Sequence, residues 1–137
     1  MAVSSQNIIY MDNNATTRIA PEVLEAMLPY LSEFYGNPSS MHTFGGQVGQ
    51  AIAAARQSVA DLLGASADEI VFTSCGTESD STAILSALQT YPEKNHVVTT
   101  RVEHPAVKNL CDNLEIFTGR KYHTTRLPVA EDGTLDL

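Results

Sequence analysis

The chain is short of basic residues, of cysteines and of long apolar runs, and each shortage removes a class of protein. Eight lysines and arginines stand against sixteen aspartates and glutamates, a net charge of −8. No basic cluster interrupts the acidic excess, which disfavours a nucleic-acid or anionic-membrane partner. An anion that binds must be drawn by local geometry against the overall field. No stretch of eighteen apolar residues occurs, so no membrane span is expected. Met1 to Tyr10 lacks the basic region and apolar core of a secretory signal. Cys75 and Cys111 form no CxxC pair, which points to reduced thiols and a cytoplasmic protein. Internal repeats and low-complexity tracts are also missing. What the 137 residues do contain is 43% apolar side chains, enough for a core in one domain or part of a larger one.

Hydrophobic spacing predicts the elements. Ile8–Met11 reads as a short strand, followed by turn formers from Asp12 to Thr17. Pro21 suits the first position of a helix whose apolar face is Val23, Met27, Leu31 and Phe34, with a kink or break expected at Pro29. Gly36–Ser40 is a loop. A long helix is expected from Thr43 to Leu63, with Val48, Ile52, Ala55, Val59 and Leu62 as its core stripe and Gly64 as its stop. Ile70–Phe72 reads as a strand, and a helix with Ala83, Ile84, Ala87 and Leu88 on one face follows. Val97–Thr100 is a second strand. Pro105 opens a helix bearing Val107, Leu110, Cys111 and Leu114, which Gly119 ends. Lys121–Leu127 is a third strand, and Glu131-Asp132-Gly133 turns beyond it. This β-α-β-α-β order implies an α/β fold with a parallel sheet and helices packed on it.

In such sheets, ligands sit beyond the carboxyl ends of the strands. Two loops leave those ends, Ser74–Glu78 and Arg101–His104. The first runs into a helix start, where unpaired N–H groups and partial positive charge suit a phosphate. Gly76 lets backbone approach an anion, and Thr77 adds a hydroxyl. Ordinary capping explains the same residues: Ser74 or Thr77 as N-cap, or Thr77 with Asp80 as a loose capping box. Glu78 and Asp80 suit the helix dipole but repel a bound anion. His104, held extended by Pro105, is either a flat ring for stacking and proton transfer or a capping histidine. Cys75 is either a thiol activated by a helix start or a small residue tucked against the sheet, and the tucked residue is favoured. Cys111 belongs to the core. His42, His96 and His123 show no metal-ligand spacing with one another or with the cysteines, so no zinc site is expected. Asn13–Thr16 and Gly36–Ser40 are pocket-lining candidates and equally good turn sequences.

Five ordered segments carry a resemblance: MDNNATT (Met11–Thr17), GNPSSMH (Gly36–His42), FTSCGTE (Phe72–Glu78), VEHPAV (Val102–Val107) and LPVAEDGTLDL (Leu127–Leu137). Together they resemble the cysteine desulfurases across the whole chain. Ser74–Leu88, with serine at position 81, looks most like the nitrogen-fixation (NifS) branch. The resemblance implies part of the large domain of a fold-type I, aspartate-aminotransferase-like, pyridoxal-phosphate-dependent transferase. Residues 1–18 would be an N-terminal arm with a short strand, and 19–137 the N-terminal part of the cofactor-binding domain. It implies conversion of L-cysteine to L-alanine with a protein-bound persulfide, an iron–sulfur scaffold protein as sulfur acceptor, and a homodimer. Carried over residue by residue, Gly76 and Thr77 would hold the phosphate of pyridoxal 5'-phosphate. His104 would stack on the ring and assist proton transfer. Asn13, Ala15 and Thr16 would lie near the substrate.

The family's cofactor lysine, persulfide cysteine and ring-pairing aspartate lie further downstream than this chain reaches. Lys94, Lys108 and Lys121 do not match the lysine, and Cys75 does not match the persulfide carrier. Asp136 is placed to cap a further helix, and three parallel strands with one uncovered edge make a poor free-standing domain. The expectation is therefore an N-terminal fragment, itself inactive, of an active enzyme. Two other readings stand beside it: a truncated, non-catalytic module for phosphate ligands or dimerisation, and a redox protein using Cys75.

Overall fold

The computed structural model describes residues 8–135. The chain divides into two compact units, Met1–Ile70 and Val71–Leu137.

Among the described residues the first unit holds two α-helices and a 3₁₀ turn. Ile8–Met11 forms no strand; extended backbone becomes a strand only where another strand supplies hydrogen-bond partners. The turn formers do turn, with the amides of Ala15 and Thr16 both donating to the Asp12 carbonyl, at 3.1 and 3.4 Å. Helix α1 spans Pro21–Ser32, with Pro21 in its first turn. It runs through Pro29 unbroken: the proline removes one N–H, but its carbonyl accepts from both Glu33 and Phe34 at 2.8 Å. Helix α2 spans Thr43–Leu63, as the spacing predicts, and ends at Gly64 with φ 67°. His42 caps it, Nδ1 accepting from the Gly45 amide at 3.2 Å. Gly45 is required there: a Cβ would come within 2.3 Å of the Asn37 carbonyl oxygen and 2.9 Å of the Ser40 Cβ. The GNPSS loop is thus folded against the first turn of α2. Of the expected core stripe only Val48 is buried and Val59 half-buried, while Ile52, Ala55 and Leu62 are exposed. A 3₁₀ turn, Ala67–Glu69, closes the unit, its Glu69 carboxylate accepting from the Ser66 amide at 2.8 Å. The Arg56 guanidinium donates to the Ile70 carbonyl.

The second unit is a β-α-β arrangement preceded by a helix. Helix α3 is Gly76–Thr90, strand β1 His96–Thr100, helix α4 Pro105–Asp112, helix α5 Leu114–Thr118 and strand β2 His123–Leu127. The strands pair in parallel, from His96 opposite His123 to Thr100 opposite Leu127. Ile70–Phe72 does not join them as a third strand. Ile70 is extended, at φ −92° and ψ 124°, but these residues pair with no strand among those described. The helix expected from Pro105 to Thr118 is interrupted at Asn113. The Asn113 side chain donates to the Asn109 carbonyl at 2.8 Å, the competition with the backbone ladder that asparagine brings to a helix interior. Gly119 ends α5 with φ 68°.

Leu88 of α3, Leu110 of α4 and Leu114 of α5 form the core, with Ile84, Leu85, Val97 and Tyr122 against it. Burying each leucine is worth about 1.5–3 kcal/mol. Cys111 is buried as expected, and burial pushes its thiol pKa up. An Arg126–Asp112 ion pair and a Thr124 hydroxyl donating to the Cys111 carbonyl at 3.4 Å tie β2 to α4.

Candidate anion site at the start of helix α3

The turn before α3 is knitted by short side chains. The Thr73 hydroxyl donates to the Cys75 carbonyl at 3.2 Å. The Ser79 hydroxyl reaches the same carbonyl at 3.3 Å, and the Ser79 amide donates to it at 3.1 Å. That last bond opens the helical ladder, so the amides of Gly76, Thr77 and Glu78 precede it, as the first turn of any α-helix demands.

Neither Ser74 nor Thr77 is the N-cap. That position is Cys75, extended at φ −167° and without a side-chain cap. Glu78 takes part of the capping role instead: its carboxylate accepts from the Ser74 amide at 2.7 Å and from the Ser74 hydroxyl at 2.6 Å. These bonds hold the Glu78 carboxyl below the usual carboxylate range. Cys75 is exposed, not tucked against a sheet, because among the described residues no strand precedes it for the thiol to pack on. The Glu78 amide, then the Ser74 hydroxyl and the Thr77 amide, stabilise its thiolate and lower its pKa. Sequence reading missed the Glu78–Ser74 clasp. Its signal was a carboxylate four residues after a serine, a variant of capping-box spacing.

Around this turn there is room for a ligand. A Cβ on Gly76 would meet nothing within 4 Å. Among the described residues the Thr77 hydroxyl has no hydrogen-bond partner, and Thr77 lines a cavity of about 240 Å³ with Ser81, Ala106, Asn109 and Asn113. His104 caps α4, its Nδ1 accepting from the Ala106 amide at 3.2 Å. Its backbone is extended, φ −57° and ψ 144°, as Pro105 requires. In the neutral ring this bond puts the proton on Nε2, facing away from the helix start. Gly76, Thr77 and His104 thus belong to the same unit. Asn13, Ala15 and Thr16 lie on the exposed turn of the other unit.

Residues 9–137 match the model of the aminotransferase class-V family. The chain belongs to that family. Its members depend in general on pyridoxal phosphate. A cysteine desulfurase of Trichormus azollae is 60% identical over 131 residues, 96% of this chain and 32% of that protein. The cysteine desulfurase NifS of Azotobacter vinelandii is 60% identical over 130 residues, 94% of this chain and 32% of that protein. This class-V chain therefore spans about a third of the length of the curated relatives it matches. Solved structures share its fold. A NifS-like protein superposes with a TM-score of 0.76 at 38% identity, over 85% of this chain and 32% of its own. SspA in complex with cysteine gives 0.73 at 38% identity, over 84% and 33%.

The residues present fit the phosphate end of the family's cofactor. The fit consists of open space at Gly76, a Thr77 hydroxyl without a hydrogen-bond partner among the described residues, and amides outside the helical ladder that no carbonyl consumes, those of Thr77 and Glu78 facing the Cys75 sulfur that a phosphate would displace. The clasp by Glu78 opposes it, since a carboxylate already lies in the turn. Among the described residues no group of three or more histidines, cysteines or carboxylates is placed to hold a metal ion, and no helix is long and apolar enough to cross a membrane.

Proposed function

We propose that the chain is the N-terminal portion of a cysteine desulfurase of the nitrogen-fixation branch. The whole enzyme would take sulfur from L-cysteine, release L-alanine and pass the sulfur as a protein-bound persulfide to an iron–sulfur scaffold protein, as a cytoplasmic homodimer. The observation that carries this reading is the Gly76–Thr77 turn: a helix start with free space and an unengaged hydroxyl, in a chain 60% identical to cysteine desulfurases.

In this reading Gly76 and Thr77 hold the phosphate of pyridoxal 5'-phosphate through amide and hydroxyl donors. The His104 ring stacks on the cofactor and moves a proton at Nε2, its Nδ1 being kept as the acceptor of the Ala106 amide. Asn13, Ala15 and Thr16 line the substrate's approach. The cofactor, when bound, supplies the electron sink for bond cleavage at cysteine. The lysine that would hold it covalently is not among Lys94, Lys108 and Lys121. All three are exposed, and Lys94 lies 4.4 Å from the centre of the Tyr91 ring. A buried, desolvated amine is what such a lysine needs. The 137 residues by themselves are thus a non-catalytic, phosphate-binding portion.

The test has two arms. Borohydride treatment of the 137-residue chain mixed with pyridoxal phosphate leaves no stoichiometric adduct on Lys94, Lys108 or Lys121. The full-length protein forms alanine from L-cysteine with one cofactor per chain. A stoichiometric adduct on any of the three lysines, or a full-length protein that makes no alanine, overturns the reading.

A further inference from the structure

Sequence spacing gave no reason to group His96 with His123, which stand 27 positions apart. The sheet groups them. They are register partners at the start of the parallel pair, and neighbouring strands lie about 4.8 Å apart with register partners on the same face. The rings accordingly sit 4.7 Å apart between centroids, tilted by 42°. Thr125, two positions after His123, shares that face. Its hydroxyl lies 2.8 Å from His96 Nε2 and 3.5 Å from His123 Nε2. Two imidazole nitrogens from different strands thus converge on one oxygen, and both histidines are exposed. This face is also the open one, since Val98, between His96 and Thr100, is 57% exposed. Val97 on the opposite face packs on the leucine core.

We infer that His96 and His123 form a two-imidazole site for a divalent transition-metal cation of the nickel, copper or zinc class. Imidazole nitrogen is a ligand these cations share. The parallel register holds the two rings side by side, so little order has to be imposed on binding. Thr125 then moves from bridging the rings to supplying a third oxygen donor or a hydrogen bond to bound water. The remaining positions face solvent and are filled by water. The inference is independent of the proposed desulfurase activity.

The test is calorimetric titration of the full 137-residue chain with nickel chloride, after alkylation of the exposed Cys75 to remove its thiol as a competing ligand. The expected result is one nickel per chain. Substituting His96→Asn or His123→Asn each weakens binding by roughly tenfold or more, the double variant binds no tighter than either single one, and His42→Asn matches the unsubstituted chain. On the unsubstituted chain, paramagnetic nickel broadens the ring signals of His96 and His123 before those of His42 and His104. Affinities of the His96→Asn and His123→Asn variants within twofold of the unsubstituted chain, or equal broadening at all four histidines, overturns the inference.

Discussion

The two units use apolar residues differently. In the second, a parallel strand pair and three helices close over Leu88, Leu110 and Leu114. In the first, the buried residues of α2 are Gly45, Val48 and Ala60, and α1 buries none. Its large side chains stay exposed, including Leu31 at 72%. The first unit is specified by close backbone approach and capping, the second by hydrophobic burial. An apolar stripe on a helix therefore announces a face, and only a partner element turns that face into a core.

The largest expected effect probes that difference directly. Leu114 is 2% exposed, so Leu114→Ala should cost about 2–5 kcal/mol by removing transfer energy and leaving a cavity. Leu31→Ala should change stability by no more than about 0.5 kcal/mol. Urea denaturation of both variants measures the contrast, and equal losses would break it. Next comes Gly45→Ala, expected to cost about 1–3 kcal/mol because the new methyl meets backbone that cannot yield freely. A thermal melt reads this, and an unchanged midpoint would remove the close approach as a determinant of the first unit.

At the site, Thr77→Val should weaken binding of the cofactor phosphate by about 1–3 kcal/mol, the size of a charge-assisted hydrogen bond. Cofactor retention by the full-length protein measures it. The smallest effect concerns the Glu78 clasp. Its carboxyl pKa is lowered in the fold, so the clasp's stabilisation is present above the ordinary carboxylate value. It is lost as pH falls through the lowered one. Glu78→Gln should thus melt slightly below the unsubstituted chain at neutral pH and level with it in acid. The same substitution should tighten phosphate binding by vacating the Ser74 donors. A melting difference that grows on acidification would contradict the clasp.

Much of the fold was legible because its signals are local. The bounds of α2 follow from the spacing of Val48, Ile52, Ala55, Val59 and Leu62 together with Gly64. The strands β1 and β2 and the stops at Gly64 and Gly119 were equally readable. What escaped depends on distant partners or on side-chain competition. Ile70–Phe72 has strand composition but joins no sheet among the described residues. Asn113 splits a helix through its own amide. Cys75 was expected to be covered, and its exposure depends on what packs nearby, which the local residues do not encode. At the site, the helix start at Gly76 and the extended His104 were visible in glycine and proline. The engagement of Ser74 by Glu78 was hidden behind the expectation that an acidic residue there only repels.

The account rests on donors at the start of α3 being available to a dianion. Amide-resolved NMR titration of the chain with pyridoxal phosphate, and in parallel with pyridoxal, tests this most directly. The predicted result is saturable shifts at Gly76, Thr77 and Glu78 with the phosphorylated compound and none with pyridoxal. Unmoved amides at these three positions, or the same response to both compounds, would contradict it.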